Sequence, residues 1–285
     1  MQEQLMKLPQ PSVLRRLAAS LAFPWASKKI DVVVLGYPKT GNTWLTMLLR
    51  KLLVSHFKMP EHRIADILPD SVRALLRANT KPAPLVYVTH HMTGFHQIPA
   101  NKMHLSFAPF RGKKAIFLIR DPRDTLVSLY MHAKHREGWY QKDLESFVFD
   151  EWFGIEKYLA FYRQLHESAA LFEDFSIVRY EDLHGDISQT LSRISCFCGI
   201  GDVDLSTLKN AIEYGSMSSM RKIEQGGRSA WWAMKPPPNL SDPNALKVRE
   251  GKVGGFKQHL QESTVEKIDR LVQQKLPAEF GYVHS

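Results

Sequence analysis

Residues Gly36 to Thr43 read Gly-Tyr-Pro-Lys-Thr-Gly-Asn-Thr and follow a short apolar run from Asp31 to Leu35. A glycine-spaced turn that leaves a buried strand and opens a helix suits an anion. The first helical amides have no intrahelical partner, the helix dipole is positive there, and Gly41 lets the backbone approach a phosphate closely. The two glycines have the spacing of a Mg-ATP cradle, but the Lys-Ser/Thr pair that such a site needs next is replaced by Asn42-Thr43. The lysine stands inside the loop at Lys39. This argues against a P-loop kinase or nucleotidase and places an ammonium where it reaches the bridging oxygen of a leaving group. A second constellation, Arg120-Asp-Pro-Arg-Asp124, leaves the apolar run Lys114 to Ile119, with Ser128 about one helical turn further on. Pro122 and Asp124 suit a first helical turn, and the planar fork of Arg120 suits phosphate. Of the twelve histidines, His90 and His91 stand together after Val86 to Thr89. Imidazole is the usual proton acceptor near neutral pH.

These residues carry a resemblance. Tyr37 to Trp44 is similar to the 5′-phosphosulfate loop of the cytosolic-type sulfotransferases, with Thr40 for a serine and Asn42 for a threonine. Arg120 to Ser128 resembles the segment that binds the 3′-phosphate in that family, and Tyr180-Glu-Asp-Leu183 resembles the one whose tyrosine meets adenine. Ser216 to Lys222 resembles a further nucleotide segment, in which Met217 replaces the aromatic residue that stacks opposite Trp44. Arg249, Glu250 and Gly251 resemble the strap that closes over the 3′-phosphate, with Glu250 in place of a basic residue. The resemblance runs in order from roughly residue 30 to 260. It implies a P-loop-like sulfotransferase fold and transfer of the sulfuryl group from 3′-phosphoadenosine-5′-phosphosulfate (PAPS) to a small acceptor, leaving PAP. It also implies His90 as the base, with His91 as the alternative, and Lys39 together with the amides of Thr40, Gly41, Asn42, Thr43 and Trp44 at the leaving group. Arg120, Ser128, Arg249 and Gly251 would hold the 3′-phosphate, and Tyr180, Ser216 and Met217 the base. No metal is required by that scheme. In the family's C-terminal dimer pattern Lys257 and Glu266 are kept, but Gln261-Glu262 replace Thr-Val, so the oligomeric state stays open.

Positioning these residues needs strands that end where they begin. Four apolar runs, at residues 31–35, 86–89, 114–119 and 175–178, read as buried strands. Helical patterns lie at 43–57, 122–134, 144–172 in one or two pieces, and 187–199. The alternation predicts a three-layer α/β architecture, a mostly parallel sheet flanked by helices, with its chemistry at the carboxyl ends of the strands. Residues 223–248, with Trp231-Trp232, three prolines from Pro236 and Asp242-Pro243, predict a long irregular connection able to close over an apolar acceptor. A single domain over residues 1–285 follows, with its core at about 30–275 and residues 1–29 helical or flexible.

The 285 residues carry 38 Lys plus Arg against 29 Asp plus Glu, a net charge of +9, and 44% hydrophobic residues. Enough apolar chain is present for a sizeable core, and the positive surplus favours anionic partners. The basic residues are dispersed outside the motifs, which disfavours a nucleic-acid-binding module. Cys196 and Cys198 are too few for a tetrahedral zinc site and poorly spaced for a disulfide, so both are expected as buried thiols of a reducing, cytoplasmic compartment. No signal peptide or stretch of roughly 18 apolar residues is present. Leu14, Leu17 and Leu21 share one face of a possible N-terminal helix, expected to pack on the domain rather than on a membrane.

Overall fold

Four parallel strands in the order β2–β1–β3–β4 form the centre of the computed structural model: β1 (Val32–Gly36), β2 (Val86–Thr89), β3 (Lys114–Ile119) and β4 (Asp174–Arg179). The structure describes residues 22–65, 67–69, 71–91, 93, 98–227 and 234–282. The expected N-terminal stripe of Leu14, Leu17 and Leu21 and the Trp231-Trp232 segment lie outside the described residues. Every β1 residue is buried, as a β-branched run covered on both faces should be. Successive residues face opposite layers. Val33 and Leu35 join Phe117 and Ile119 in one core, whereas Val32 and Val34 join Ile116 and Leu118 in the other.

The helices complete the two outer layers. The Val32–Val34 face is covered by α1 (Asn42–His56), α7 (Ile187–Phe197) and α8 (Leu205–Tyr214), through residues such as Leu48, Leu52, Leu191 and Leu208. The Val33–Leu35 face is covered by α3 (Pro122–Met131), α5 (Ile155–Glu167) and α10 (Glu262–Lys275), through residues such as Leu126, Phe161 and Ile268. The remaining helices are α2 (Val72–Arg77), α4 (Leu144–Val148), α6 (Tyr180–Gly185) and α9 (Met217–Gln225). Because β2 and β3 flank β1 on opposite sides, the crossovers diverge at β1 and β3 and leave a crevice at their carboxyl ends. The Lys39 loop and Arg120 both open there.

Several boundaries differ from expectation. The helix expected through residue 134 is α-helical only to Met131 and then widens into a π turn, His132–Arg136. The 144–172 pattern is divided at Gly154, where a Cβ would lie 2.4 Å from the Val148 carbonyl oxygen, so the approach of the α4 exit to the α5 start excludes a side chain. The expected irregular segment is helical to Gln225, and its described part at 234–248 contains one short turn, Pro243–Ala245. Helices α2, α6, α8, α9 and α10 were not signalled. The expectation of two buried thiols is corrected: Cys198, the C-cap of α7, is buried, but Cys196, two residues earlier and on another face of the helix, is exposed. No described helix is long and apolar enough to cross a membrane.

Candidate active site

The loop after β1 is held from below. The Tyr37 N–H donates to the Tyr162 hydroxyl (3.2 Å), which itself donates to the Leu118 carbonyl of β3 (2.6 Å). Tyr37 is fully buried, its ring edge-on to Tyr158. Its carbonyl accepts from Thr40 Oγ1 (2.7 Å) and Asn42 Nδ2 (3.1 Å). Lys39 (φ 74°) and Gly41 (φ 103°) both take left-handed backbone. A Cβ at Gly41 would stand 2.8 Å from the Tyr180 ring, so only glycine fits. Gly41 is the N-cap of α1 without a side-chain cap, and the first turn holds no carboxylate. The start of α1 is therefore left as an anion site. Thr40 is fully buried and not among the residues lining the cavity, and both its hydroxyl and its N–H donate to the Tyr37 carbonyl.

The remaining site residues proposed from sequence line one cavity of about 1070 Å³: Lys39, Gly41, Asn42, Thr43, Trp44, His90, Arg120, Ser128, Tyr180, Ser216, Met217, Arg249, Glu250 and Gly251. Arg120 leaves β3 with its guanidinium 4.2 Å from the Tyr180 ring centroid, donates to the Lys252 carbonyl (2.9 Å), and pairs with Asp124 at 3.6 Å. Its Nε is buried without a partner, a donor that the protein does not satisfy and a phosphate oxygen would. Asp124 also accepts from the N–H groups of Gly254 and Phe256, both at 2.8 Å, and so anchors the 249–257 strap on α3. Arg221 of α9 holds the other side of that strap by donating to the carbonyls of Val248 and Arg249. Met217 packs against Gly251, where a Cβ would meet its methyl at 2.2 Å. The expectation of Trp44 as the one aromatic face is enlarged, because Tyr180 (5.4 Å between centroids) and His184 (4.9 Å) pack beside it.

His90 lies at the β1 side of this cavity. Its Nδ1–H donates to the Gly36 carbonyl at 2.9 Å, which puts the ring's lone pair on Nε2, the tautomer a proton acceptor needs. Burial, opposed in part by that hydrogen bond and assisted by Lys247 and Lys39, lowers its pKa to about 4. Lys39 is lowered to about 7, again by burial first and then by Lys247, Arg136 and Arg120. His91 is built differently: its Nε2–H donates to the Ser106 carbonyl (2.8 Å) and its ring packs on Phe107 (4.8 Å), so it serves the core, not the cavity.

Sequence reading missed Asp124, Arg221, His184 and a polar wall of His132, Arg136 and Lys247 over the buried Glu224. One signal was available. Met217, Met220 and Glu224 recur at helical spacing, and a carboxylate in an apolar stripe announces a buried pair. Among the described residues no group of three or more His, Cys, Asp or Glu is arranged to hold a metal ion.

The pairing of Glu250 with Arg249 (2.5 Å) has a testable result. An acidic neighbour opposes an anion and occupies the cation meant for it. Glu250→Gln is expected to tighten PAP binding roughly threefold to tenfold, as about 0.6–1.4 kcal/mol would. Calorimetry showing unchanged or weaker binding would place Arg249 away from the phosphate.

A family model described as "Sulfotransferase domain" matches residues 29–279. The human sulfotransferase 2A1 is 26% identical over 254 residues, covering 86% of this chain and 84% of the relative. The guinea pig (Cavia porcellus) 3-beta-hydroxysteroid sulfotransferase is 24% identical over 262 residues, covering 87% and 84%. Among solved structures, mouse sulfotransferase SULT7A1 complexed with PAP superimposes with a TM-score of 0.57 at 16% identity, covering 91% of this chain and 90% of that one. Retinol dehydratase in complex with androsterone and inactive cofactor PAP gives 0.56 at 14% identity, covering 88% and 80%.

Proposed function

The chain belongs to the sulfotransferase domain family, and from that premise we propose that it transfers the sulfuryl group of PAPS to the hydroxyl of a small-molecule acceptor, releasing PAP. One observation supports this most: two cationic stations, the uncapped α1 start with Lys39 and the Arg120–Ser128–Arg249 group, share a single cavity with a tautomerically fixed imidazole. The residues fit a nucleotide with phosphate at two positions. The buried Nε of Arg120 awaits an acceptor, and the Gly251–Met217 contact and the Trp44–Tyr180–His184 cluster offer a flat apolar seat for a purine.

The nucleotide supplies the sulfuryl group and a phosphate leaving group. The chain's own residues do the rest. His90 Nε2 takes the acceptor's hydroxyl proton, while the Gly36 carbonyl keeps Nδ1 protonated and stabilises the imidazolium that forms. Lys39 and the first amides of α1 bind the growing charge at the leaving oxygen. Arg120, Ser128 and Arg249 fix the second phosphate and thereby the orientation of the first. Tyr180 and Ser216 line the purine end. Met220, Ile98, Val127 and Trp139 offer an apolar seat for the body of the acceptor. The free thiols fit a cytoplasmic protein.

No metal takes part in this scheme, since lysine and helix terminus provide the positive charge. Turnover of PAPS with a panel of phenols and alcohols, read as the mass gain of one sulfonate, is expected to persist in excess EDTA. Activity lost with EDTA and restored by Mg²⁺ would overturn the metal-free scheme. Calorimetric silence with PAP alongside tight Mg-ATP binding would overturn the nucleotide assignment itself.

A further inference from the structure

The four strands are parallel, so the sheet has two unlike poles. The cavity takes the carboxyl pole. The amino pole, where Asp31, Lys113 and Glu173 immediately precede β1, β3 and β4, has no part in the reaction derived above. A depression of about 420 Å³ there brings Lys81, from the turn before β2, together with Lys113 and Lys114, and Asp31 and Glu173 also line it. Lys28 and Lys29 adjoin this ground. Lys113 Nζ donates to the Lys28 carbonyl (3.0 Å), and Lys29 Nζ donates to the Leu76 carbonyl (2.7 Å) near the end of α2, beside the exposed Arg77. Lys114 Nζ donates to the Phe197 carbonyl (3.4 Å) at the end of α7. Carbonyl partners hold these ammoniums in place and leave their charge uncancelled. The carboxylates nearby are fewer, and two of them serve the backbone: Asp31 accepts from the Leu85 N–H and Asp174 from the Phe175 N–H, both at 2.8 Å. Among the described residues, none of Lys28, Lys29, Arg77, Lys81, Lys113 and Lys114 forms an ion pair.

An independent observation lies beside these lysines. In the helical stretch 22–27, Phe23 packs edge-on against Phe110 (5.6 Å) and Ala26 is fully buried, so this side faces the core. Trp25 lies on the other side and is 73% exposed, with Lys28 Nζ 5.0 Å from its ring. Leu76, whose carbonyl holds Lys29, is 43% exposed. An indole left in water among unpaired lysines has the make-up of an interfacial anchor. The ring sits at headgroup level, and the ammoniums meet lipid phosphates and carboxylates. The aliphatic Leu76 suits acyl chains and offers a nucleobase no stacking surface. We propose that the protein docks its amino pole, through Trp25 and the surrounding lysines, peripherally on an anionic phospholipid surface. The cavity, at the opposite pole, then stays open to its nucleotide. This docking does not depend on the chemistry in the cavity.

The test is flotation of the full-length protein with vesicles of phosphatidylcholine alone, or with about one third phosphatidylserine, at physiological salt. Partitioning onto the anionic vesicles is expected to exceed that onto neutral ones by about tenfold or more. Lys28→Gln combined with Lys81→Gln should lower it about thirtyfold, roughly fivefold for each lysine at an anionic surface. Lys28→Arg with Lys81→Arg should retain it, and Trp25→Ala should lower it about tenfold. Melting temperatures should stay at the wild-type value, so that lost docking is not lost folding. Equal partitioning onto both vesicles, none onto either, or partitioning unchanged in the glutamine and alanine variants overturns the proposal. Any of these joined to tight binding of a thymidine oligonucleotide would give the face to nucleic acid. Joined to a dimer that Trp25→Ala dissociates, they would give it to a second copy of the chain. Joined to a melting temperature lowered by Trp25→Ala, they would give it to the chain's own residues 1–21.

Discussion

His90→Asn is expected to lower kcat by about 10²- to 10⁴-fold, the contribution of a positioned general base, while PAP binding stays within a few fold of wild type. Asparagine keeps a side-chain N–H where Nδ1–H donates to the Gly36 carbonyl and lacks only the distal lone pair. The measurement is single-turnover sulfonation beside PAP calorimetry. A variant with near-normal kcat would return the base to another group. The pH profile offers a second readout. Turnover needs His90 neutral and Lys39 protonated. With His90 held at about 4 and Lys39 at about 7 in the free protein, kcat/KM should fall on the acid side only well below the ordinary histidine range and begin to fall on the alkaline side near neutrality. An acid limb near 6.5 would contradict the burial of this ring. Stability follows the same sign. The unfolded chain binds the His90 proton at about 6.5, the folded one only near 4, so this group makes the protein less stable as pH falls through that interval.

Arg120→Met should weaken PAP binding by about 30-fold or more, because truncating one member of a desolvated charge-assisted contact costs about 2–5 kcal/mol. The loss should also flatten the salt dependence of binding, since one phosphate contact disappears. Asp124 keeps its two backbone donors, Gly254 and Phe256, so the strap stays anchored and the fold survives. Arg120→Lys should recover part of the affinity, limited by the lost planar fork. Affinity within threefold of wild type in Arg120→Met would exclude this arginine as a phosphate ligand.

The legible parts of the molecule are those where local chemistry and global position coincide. A strand covered on both faces requires an unbroken apolar run, which is why 31–35, 86–89 and 114–119 were read nearly to the residue. Positive-φ backbone requires Gly41, and the turn it makes fixes where Lys39 stands. The helices α8, α9 and α10 were missed, although each carries an apolar stripe that reading by motif passed over. The wall of His132, Arg136, Glu224 and Lys247 is assembled from three segments, Arg136 and Glu224 lying 88 residues apart and Glu224 and Lys247 a further 23, and nothing local in any one of them announces the other two. Thr40 shows what a motif does not tell: it occupies a motif position, and its hydroxyl and N–H close the turn on the Tyr37 carbonyl.

The hydroxyl of Tyr162 bridges the Tyr37 amide and the Leu118 carbonyl, so one phenol clamps the ends of neighbouring strands from which both anion stations emerge. The distance between those stations is then a rigid gauge, set before any nucleotide arrives. A nucleotide carrying phosphate on only one side of its ribose meets a ruler with one mark unread. Discrimination between such cofactors thus resides as much in a buried phenol as in the charges that touch them.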